Sequence, residues 1–330
     1  MRYEIPGGFG SSLPSVVVLG GGHGMAANLT ALRRVTDRLT AVVTVADDGG
    51  SSGRLREELA CLPPGDLRMA LAALCGDDAA GRRWAEVLQY RFESPGALDG
   101  HPIGNLMIAG LWQLVQDPVA GLDMITDLIG SRGRVLPMAD QPLEIEAEVV
   151  GHDLTRPEDL VAVRGQVAVA STPGWIQSIR LLPDRPRACP EAVTAVLDAD
   201  WVILGPGSWF TSVLPHLMVP ELAEALTRTK ARRILTLNIT ASEDETPDFT
   251  AARHIELVAE HEPRMRFDRV LTDSRYAAGD KALESYAASL GAELVVNDLI
   301  MRDGTARHNP LLLASAYAEI LAESPGTSPL

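Results

Sequence analysis

The stretch SVVVLGGGHGMAA, residues 15–27, joins a short apolar run directly to a glycine-rich loop. The apolar run, residues 15–19, is rich in β-branched side chains and is typical of a strand that is buried on both faces. The loop leads into a helical pattern over residues 26–34, and residues 40–46 have the composition of a second buried strand. This order of strand, loop, helix and strand predicts the start of a parallel α/β sheet.

Further strand patterns, each followed by a loop and a helical pattern, occur at residues 199–204, 233–237, 269–272 and 293–296. Their repetition predicts an α/β fold with a Rossmann-like, doubly wound and mainly parallel sheet. Strand-like segments at 143–149, 165–170 and 175–182 lack long helices between them and indicate a small β-rich insertion at about residues 135–183. We expect a single domain over residues 15–322, between flexible tails at 1–14 and 323–330.

Composition narrows the classes of function. The 330 residues are 46% hydrophobic and 22% charged, which excludes wholesale disorder. No apolar run approaches the ~20 residues that span a bilayer, and the first residues lack an apolar signal core, so we expect a cytoplasmic protein. A net charge of −15 argues against a nucleic-acid partner. The three cysteines have no paired spacing, which argues against a disulfide framework or a zinc site.

The first glycine loop has the features of a phosphate site. It consists of Gly21, Gly22, His23 and Gly24, and the pattern G-x-G-x-x-A begins at Gly22. Glycines let the backbone approach a phosphate, and the N–H groups at the start of a helix attract the anion. Asp47 lies 23 residues after Gly24, about where an acidic residue binds ribose in a dinucleotide fold. A tight glycine turn without a ligand is the simpler alternative.

Two adjacent carboxylates open the second loop, DDGGSSGRLR at residues 47–56. Like charges raise each other's pKa, so the juxtaposition of Asp47 and Asp48 favours a function such as binding a metal, a ribose or substrate hydroxyls. Ser51 and Ser52 supply hydroxyls, and Arg54 can bind a phosphate through two nitrogens. The alternative is a flexible loop in which Ser52 caps a helix.

Residues in five later loops complete the candidate site: Asp66, Asn105, Gly205, Gly207, Ser208, Asn238 and Arg307. The loop from Gly205 to Ser208 repeats the logic of the first one, with glycines after a buried strand and a hydroxyl before a helix. Helix capping would also explain Asp66 and Asn105, a turn would explain Asn238, and a helix start would explain Arg307. His101 precedes Asn105 but has no visible nucleophile partner in the sequence, so we assign it no role as a base.

Taken together, five motifs resemble those of one family: GGGxG at 20–24, DDGGSSGRLR at 47–56, PPGDxR at 63–68, GHxxGN at 100–105 and LGPGS at 204–208. The chain resembles the YvcK-like gluconeogenesis factors, which are relatives of 2-phospho-L-lactate transferase (CofD-like), over nearly its whole length. The resemblance implies a Rossmann-like core that binds a nucleotide sugar, UDP-N-acetylglucosamine. It also implies a regulator of cell shape and cell-wall synthesis during growth on gluconeogenic carbon sources.

Two hypotheses for the mechanism follow from the resemblance. The first is a regulator without turnover and without a required cofactor, whose partners are the UDP-sugar and cell-wall synthesis or regulatory proteins; a homo-oligomer stays open. The second is a transferase that joins a phospholactyl group to a deazaflavin, with Mg²⁺ held by Asp47 and Asp48. A nicotinamide oxidoreductase ranks last, because the second glycine loop and the Asp-Asp pair have no place in it.

The resemblance carries the sugar site to the first glycine loop, Asn238 and Arg307, but two positions depart from the family pattern. His23 stands where the family usually has threonine, and after Asn238 the chain reads ITAS at 239–242 and then DET at 244–246. The resemblance therefore leaves the base and sugar specificity open at these positions.

Overall fold

A central parallel sheet organises the molecule. The structure is a computed structural model, and it describes residues 13–239, 249–303 and 305–322. Within these ranges, seven strands pair in the order β10-β9-β8-β7-β1-β2-β3, and each neighbouring pair is parallel. The strands are β1 (Val16–Gly20), β2 (Leu39–Val43), β3 (Arg134–Pro137), β7 (Trp201–Leu204), β8 (Arg232–Thr236), β9 (Arg269–Asp273) and β10 (Glu293–Asn297). This confirms the predicted α/β fold with a doubly wound, mainly parallel sheet.

Helices connect these strands. In the described ranges they are α1 (Gly22–Leu32), α2 (Gly50–Leu59), α3 (Gly65–Leu74), α4 (Ala79–Gln89), α5 (Ile103–Val115), α6 (Pro118–Ile129), α7 (Gln166–Ala170), α8 (Pro190–Asp198), α9 (Pro215–Met218), α10 (Pro220–Arg228), α11 (Ala251–His261), α12 (Ser274–Ala277), α13 (Leu283–Ser289) and α14 (Pro310–Ala322). A π-helical turn, Trp209–Val213, follows β7. None of the described helices is long and apolar enough to cross a membrane.

The order of the strands reverses between β1 and β7. From β1 the chain builds outward through β2 and β3, and it later returns to the other side of β1 to build β7 through β10. In open parallel sheets, ligands bind in the crevice that such a reversal leaves at the carboxyl ends of the strands. The ends of β1 and β7 therefore mark the expected position of a ligand site.

Strand β1 lies in the buried centre of the sheet. All five residues of β1 are buried, and Val18 and Leu19 are completely inaccessible. Burying each of these side chains stabilises the fold by about 1.5–3 kcal/mol. Because β2 and β7 cover both edges of β1, the glycine loop that follows starts from a rigid base.

A second, antiparallel sheet corresponds to the predicted insertion. Its strands are β4 (Glu144–Val150), β5 (Leu160–Arg164) and β6 (Trp175–Leu182), in the order β5-β4-β6. Two details differ from the sequence prediction. Val135 belongs to β3 of the main sheet, so the antiparallel sheet begins later, and residues 166–170 form helix α7 instead of a strand.

The predicted tails, 1–14 and 323–330, lie outside the described residues apart from Leu13 and Pro14. The backbone carbonyls of these two residues accept hydrogen bonds from Arg38 and from the Thr36 hydroxyl, respectively.

A buried histidine predicts acid sensitivity of the fold. His216 is fully buried and its Nε2 lies 3.1 Å from the Val42 carbonyl oxygen. Burial lowers the pKa of His216 from 6.5 to about 4, so the unfolded chain takes up this proton first as the pH falls. Stability should therefore drop between pH 6.5 and pH 4, by up to about 3 kcal/mol from this group alone. Denaturant unfolding of wild type and His216→Gln at pH 7.5 and pH 4.5 tests this: an equal loss in both proteins would contradict it.

Candidate functional site

Two glycine loops meet at the carboxyl ends of β1 and β7. Gly24, in the first turn of α1, packs against the backbone of the loop that follows β7. A Cβ atom at Gly24 would lie 2.5 Å from the Pro206 carbonyl oxygen and 2.8 Å from the Gly207 Cα atom. Such distances are too short for any side chain, so glycine at this position lets the two loops touch.

Two asparagines hold the glycine loop after β7, residues 205–208, in place. Asn28 Nδ2 donates a hydrogen bond to the Gly205 carbonyl oxygen, at 2.8 Å. Asn238 binds Gly207 twice: its Oδ1 accepts from the Gly207 N–H and its Nδ2 donates to the Gly207 carbonyl oxygen, both at 3.0 Å. The sequence predicted a ligand contact for Asn238, and the structure gives this side chain a role in shaping the loop.

The Asn238 contacts make a testable prediction. Asn238→Ala removes both hydrogen bonds and leaves a partly buried peptide group without partners, which costs about 1–3 kcal/mol. We expect that loss in the free energy of unfolding, together with faster hydrogen exchange at residues 205–208. Asn309→Ala, which removes a cap from the start of α14, is a control that should leave exchange at 205–208 unchanged; equal exchange in all three proteins would contradict the assigned role.

Between the loops and the chain before α14 lies a cavity of about 630 Å³, here called the switch-point cavity. Six of the predicted site residues line it: His23, Gly24, Gly207, Ser208, Asn238 and Arg307. The N-terminus of α1 contributes backbone N–H groups, which favour an anion. Arg307 comes from the other end of the chain and is exposed.

The switch-point cavity also contains a residue to which we assigned no role from the sequence. His308 is 8% exposed, and its Nε2 has no hydrogen-bond partner among the described residues. Burial lowers the pKa of His308 to about 4, although a hydrogen bond with the Leu237 backbone acts to raise it. The ring is therefore neutral at pH 7. Its burial depends on the pairing of residues 307–309 with residues 299–301 and on the contact with Leu237, which no local pattern reveals.

A second group of predicted residues surrounds a separate cavity of about 270 Å³, here called the small cavity. Asp47, Ser51, Ser52, Asp66 and Asn105 line it. Arg68 and Arg91 also line it and were not among the predicted site residues. Arg68 lies in the PPGDxR motif, two residues after Asp66, so the signal was present in the sequence.

Asp66 has an unusual environment in the small cavity. It is 8% exposed, and its Oδ2 atom has no hydrogen-bond partner among the described residues. Burial raises the pKa of Asp66 to about 7, and the charge of Asp47 acts in the same direction, while the Gly22 N–H and Arg68 oppose it. Asp66 thus titrates near neutral pH. Its hydrogen bond with the Gly22 N–H places it directly behind the first glycine loop.

Four side chains form a buried chain beside the small cavity. Arg68 Nε donates to Asn105 Oδ1 at 2.9 Å, and Asn105 Nδ2 donates to Ser51 Oγ at 3.0 Å. Ser51 Oγ in turn lies 2.7 Å from His101 Nδ1. Because Asn105 fills an acceptor position of Ser51, the hydroxyl proton is free to donate to His101. Burial lowers the pKa of His101, which favours the neutral ring.

Other predicted residues lie outside both cavities. Asp48 Oδ1 accepts a hydrogen bond from the Val167 N–H at 3.0 Å, at the start of α7. Arg54 donates to the carbonyl oxygens of Ala97 and Asp99, at 3.1 and 2.7 Å. Gly21, Gly22 and Gly205 belong to the two glycine loops but line neither cavity. The structure therefore does not bring the Asp47 and Asp48 carboxylates together, and Arg54 does not reach either cavity.

The role of Asp48 is also testable. Asp48→Ala removes the hydrogen bond to Val167, and we expect a loss of about 1 kcal/mol in the free energy of unfolding. Ligand binding in the switch-point cavity should be unchanged, because Asp48 lies against α7. A tenfold loss of ligand affinity with unchanged stability would contradict this assignment.

The small cavity offers some, but not all, of the oxygen ligands that a divalent cation needs. No group of three or more His, Cys, Asp or Glu side chains within the described ranges could hold a metal. Asp47 and Asp66 offer two carboxylates, and Mg²⁺ commonly binds one or two carboxylates together with substrate phosphates. Of the acidic residues near the loops, this pair would hold Mg²⁺, whereas Asp48 is engaged with α7.

The loop after Asn238 lies largely outside the described residues. Thr240, Ala241 and Ser242, together with residues 243–246, fall in the range 240–248 that the structure leaves undescribed. Their predicted contribution to the site stays a prediction.

Comparison with known proteins gives matches over nearly the whole chain. The family model described as 2-phospho-L-lactate transferase CofD matches residues 16–309. A Mycobacterium tuberculosis protein proposed to be a gluconeogenesis factor is 50% identical over 95% of this chain and 92% of its own length. A protein of Listeria innocua named gluconeogenesis factor is 36% identical, over 93% of this chain and 96% of its own.

A solved structure has the same fold. The crystal structure of a UPF0052 family member from Bacillus halodurans superposes with a TM-score of 0.82 and 32% sequence identity. The match covers 95% of this chain and 100% of the Bacillus halodurans chain.

Proposed function

Since the chain belongs to the family of 2-phospho-L-lactate transferase CofD and shares most of its length with gluconeogenesis factors, we propose that it is a gluconeogenesis factor that binds a nucleotide sugar, UDP-N-acetylglucosamine. The observation that carries the proposal is the contact between the two glycine loops at the switch point of the sheet. It creates the switch-point cavity at the position where parallel α/β sheets bind nucleotides.

The cavity has the size and the groups that a nucleoside diphosphate needs. Its volume, about 630 Å³, lies within the range of about 300–1,000 Å³ that is usual for small-molecule sites. The diphosphate would lie at the N-terminus of α1, whose residues His23 and Gly24 line the cavity. Arg307 faces it from the opposite wall and would bind the phosphate oxygens.

Calorimetric titration with UDP-N-acetylglucosamine, UDP-glucose, GDP and NAD, each in EDTA and in Mg²⁺, tests the proposal. We expect micromolar, metal-independent binding of the UDP-sugars and a loss of at least tenfold in Arg307→Ala. Arg302→Ala is the matched control, because Arg302 is an exposed arginine five residues away that does not line the cavity. Failure of every uridine nucleotide to bind at millimolar concentration would contradict the proposal.

The cellular role follows from the ligand. A protein that senses a precursor of the cell wall would adjust cell shape and cell-wall synthesis during growth on gluconeogenic carbon sources. A strain that lacks the protein should grow poorly and lose its shape on such carbon sources, and the wild-type gene and Arg302→Ala should restore both. If Arg307→Ala restores them equally well, ligand binding is not required for the role.

A transferase is the second candidate, and Asp47 and Asp66 in the small cavity favour it. Mg²⁺ held by this pair would neutralise charge on a pyrophosphate oxygen during transfer of a phospholactyl group. The test is product formation from guanylylated lactate and a deazaflavin in Mg²⁺, with Asp66→Asn and Asp48→Asn compared. We expect the larger loss of activity in Asp66→Asn, because Asp48 is engaged with α7. Absence of product with the wild-type protein would exclude this candidate.

A further inference from the structure

The outward side of helix α5 is apolar along its whole length. None of the 13 residues of α5 is charged. One side of the helix, which includes Asn105 and Trp112, is buried against the rest of the molecule. The residues of the other side recur at a spacing of three or four and are partly or fully exposed: Ile103, Leu106, Met107, Gly110, Leu111 and Leu114. A helix that is apolar on all sides normally lies in a protein interior, so this side lacks its cover.

Helix α6 extends the same surface. It follows α5 after two residues and packs against it. Trp112 Nε1 fixes the turn between the helices through a hydrogen bond to the Pro118 carbonyl oxygen, at 2.9 Å. Three large apolar side chains protrude from the pair: Leu114 at 75% exposure, Leu128 at 55% and Met124 at 46%. The outward residues of α5 together with Met124 and Leu128 are here called the α5–α6 face.

A lipid surface does not suit the α5–α6 face. At 13 and 12 residues, both helices are shorter than the ~20 residues that span a bilayer. Helices that lie on a membrane surface are rich in lysine and arginine, which bind anionic lipids. Helices α5 and α6 contain neither, and the net charge of the chain is −15. The cover is therefore another protein surface.

A second copy of the chain matches the charge of this face. A two-fold contact places one surface against itself, so any charged side chain at its centre risks meeting a like charge. Two chains with a net charge of −15 repel each other, and an uncharged helix lets them meet with the least repulsion. Gly110 lies near the middle of α5, and a Cβ atom there would have no neighbour within 4 Å among the described residues. A second helix can therefore approach closely at this point.

The size of the face suits a dimer of moderate affinity. Each helix is about 20 Å long and about 10 Å wide, so the two side by side cover roughly 400 Å² in plan. Protruding side chains make the accessible area larger than the plan area. This brings the face near the lower end of specific interfaces, about 600 Å² per partner. The corresponding dissociation constant is micromolar.

We propose that the chain forms a two-fold dimer in which α5 packs antiparallel against α5 of a second copy, with the axis beside Gly110. Leu114 of one copy then packs against Leu106 of the other, because the two positions are equally far from Gly110. Met124 and Leu128 extend the apolar contact on α6. The acidic residues of α6 lie at the solvated rim, where Asp123 pairs with Arg134 at 2.7 Å.

Sedimentation velocity of the full chain over a range of about 1–200 µM tests the dimer. Wild type should dimerise, and higher salt should leave the dimer intact or tighten it, because salt screens the repulsion between the two acidic chains. Leu114→Glu and Met124→Glu should each weaken dimerisation at least tenfold, since each places an unpaired charge in an apolar contact. Both side chains are already exposed, so thermal unfolding of the monomer should stay unchanged.

Leu197→Glu is the matched control, because Leu197 is a leucine of helix α8 that is 45% exposed outside the α5–α6 face. It should dimerise like wild type. A wild-type protein that stays monomeric at 200 µM, a dimer that dissociates in high salt, or equal dimerisation of Leu114→Glu and Leu197→Glu would overturn the proposal.

A cross-link tests the position of the axis. Gly110→Cys should form a disulfide-linked dimer under mild oxidation, because the two copies of this residue would lie within about 7 Å of each other. Leu197→Cys should not form one, nor should wild type, whose Cys61, Cys75 and Cys189 are buried or partly buried. A wild-type dimer without a cross-link in Gly110→Cys would overturn the α5-to-α5 arrangement. None of these results depends on whether UDP-sugars bind.

Discussion

Gly24→Ala should destabilise the protein by about 2–3 kcal/mol and reduce UDP-sugar binding at least 100-fold, the first figure being typical of overpacking a buried site. The added Cβ would lie 2.5 Å from the Pro206 carbonyl oxygen, and a backbone atom cannot rotate away as a flexible side chain would. The two glycine loops must then separate, which opens the switch-point cavity. The two effects should be of similar size, since a 100-fold loss of affinity equals about 2.8 kcal/mol.

Gly20→Ala is the matched control. A Cβ atom at Gly20 would meet Met25 Cβ at 3.6 Å and the Pro206 carbonyl oxygen at 3.8 Å, which are ordinary contact distances. Denaturant unfolding and calorimetric titration of both variants measure the two effects. If Gly24→Ala binds and unfolds like Gly20→Ala, close contact between the two glycine loops is not needed for the site.

Asp66→Asn should stabilise the protein at pH 8 and do so much less at pH 5. The folded-state pKa of Asp66, about 7, is above the 3.8 of an unperturbed aspartate. The folded protein therefore prefers the protonated form, and its stability falls as the pH rises from 3.8 through 7. An asparagine cannot ionise, so the stability gained by the variant should be about 2–3 kcal/mol larger at pH 8 than at pH 5.

Guanidinium unfolding at the two pH values measures this difference. Asp37→Asn removes an exposed carboxylate outside both cavities and should show no such dependence. The same difference in stability between wild type and Asp66→Asn at both pH values would contradict the assigned environment. A carboxylate that costs stability in this way is typical of a site retained for ligand binding.

The sequence was informative where a local pattern determines the structure. The apolar run at 15–19 became β1, the glycine loops after β1 and β7 met at the switch point, and the repeated strands built the predicted sheet. Each of these features depends on residues that are close together in the chain. Their positions relative to one another follow from the general rules of parallel sheets.

The remaining features depend on contacts between distant residues. Asp47 and Asp48 are adjacent in the sequence, but successive side chains of an extended chain point to opposite sides, so one reaches the small cavity and the other reaches α7. Arg68 depends on the space above Gly104, and Arg54 binds a loop more than forty residues away. In the segment QVAVA, the alternating pattern predicted a strand. Instead, Gly165 at φ +101° and the bond from Val167 to Asp48 start helix α7 there.

Hydrogen exchange measured with and without saturating UDP-N-acetylglucosamine tests whether the nucleotide sugar binds in the switch-point cavity. We expect slower exchange at the N-terminus of α1, at residues 205–208 and at residues 305–308, with no change in the antiparallel sheet β4–β6. The same protection should be absent in Arg307→Ala and present in Arg302→Ala. Protection confined to other regions, or no protection in wild type at millimolar ligand, would contradict nucleotide-sugar binding in the switch-point cavity.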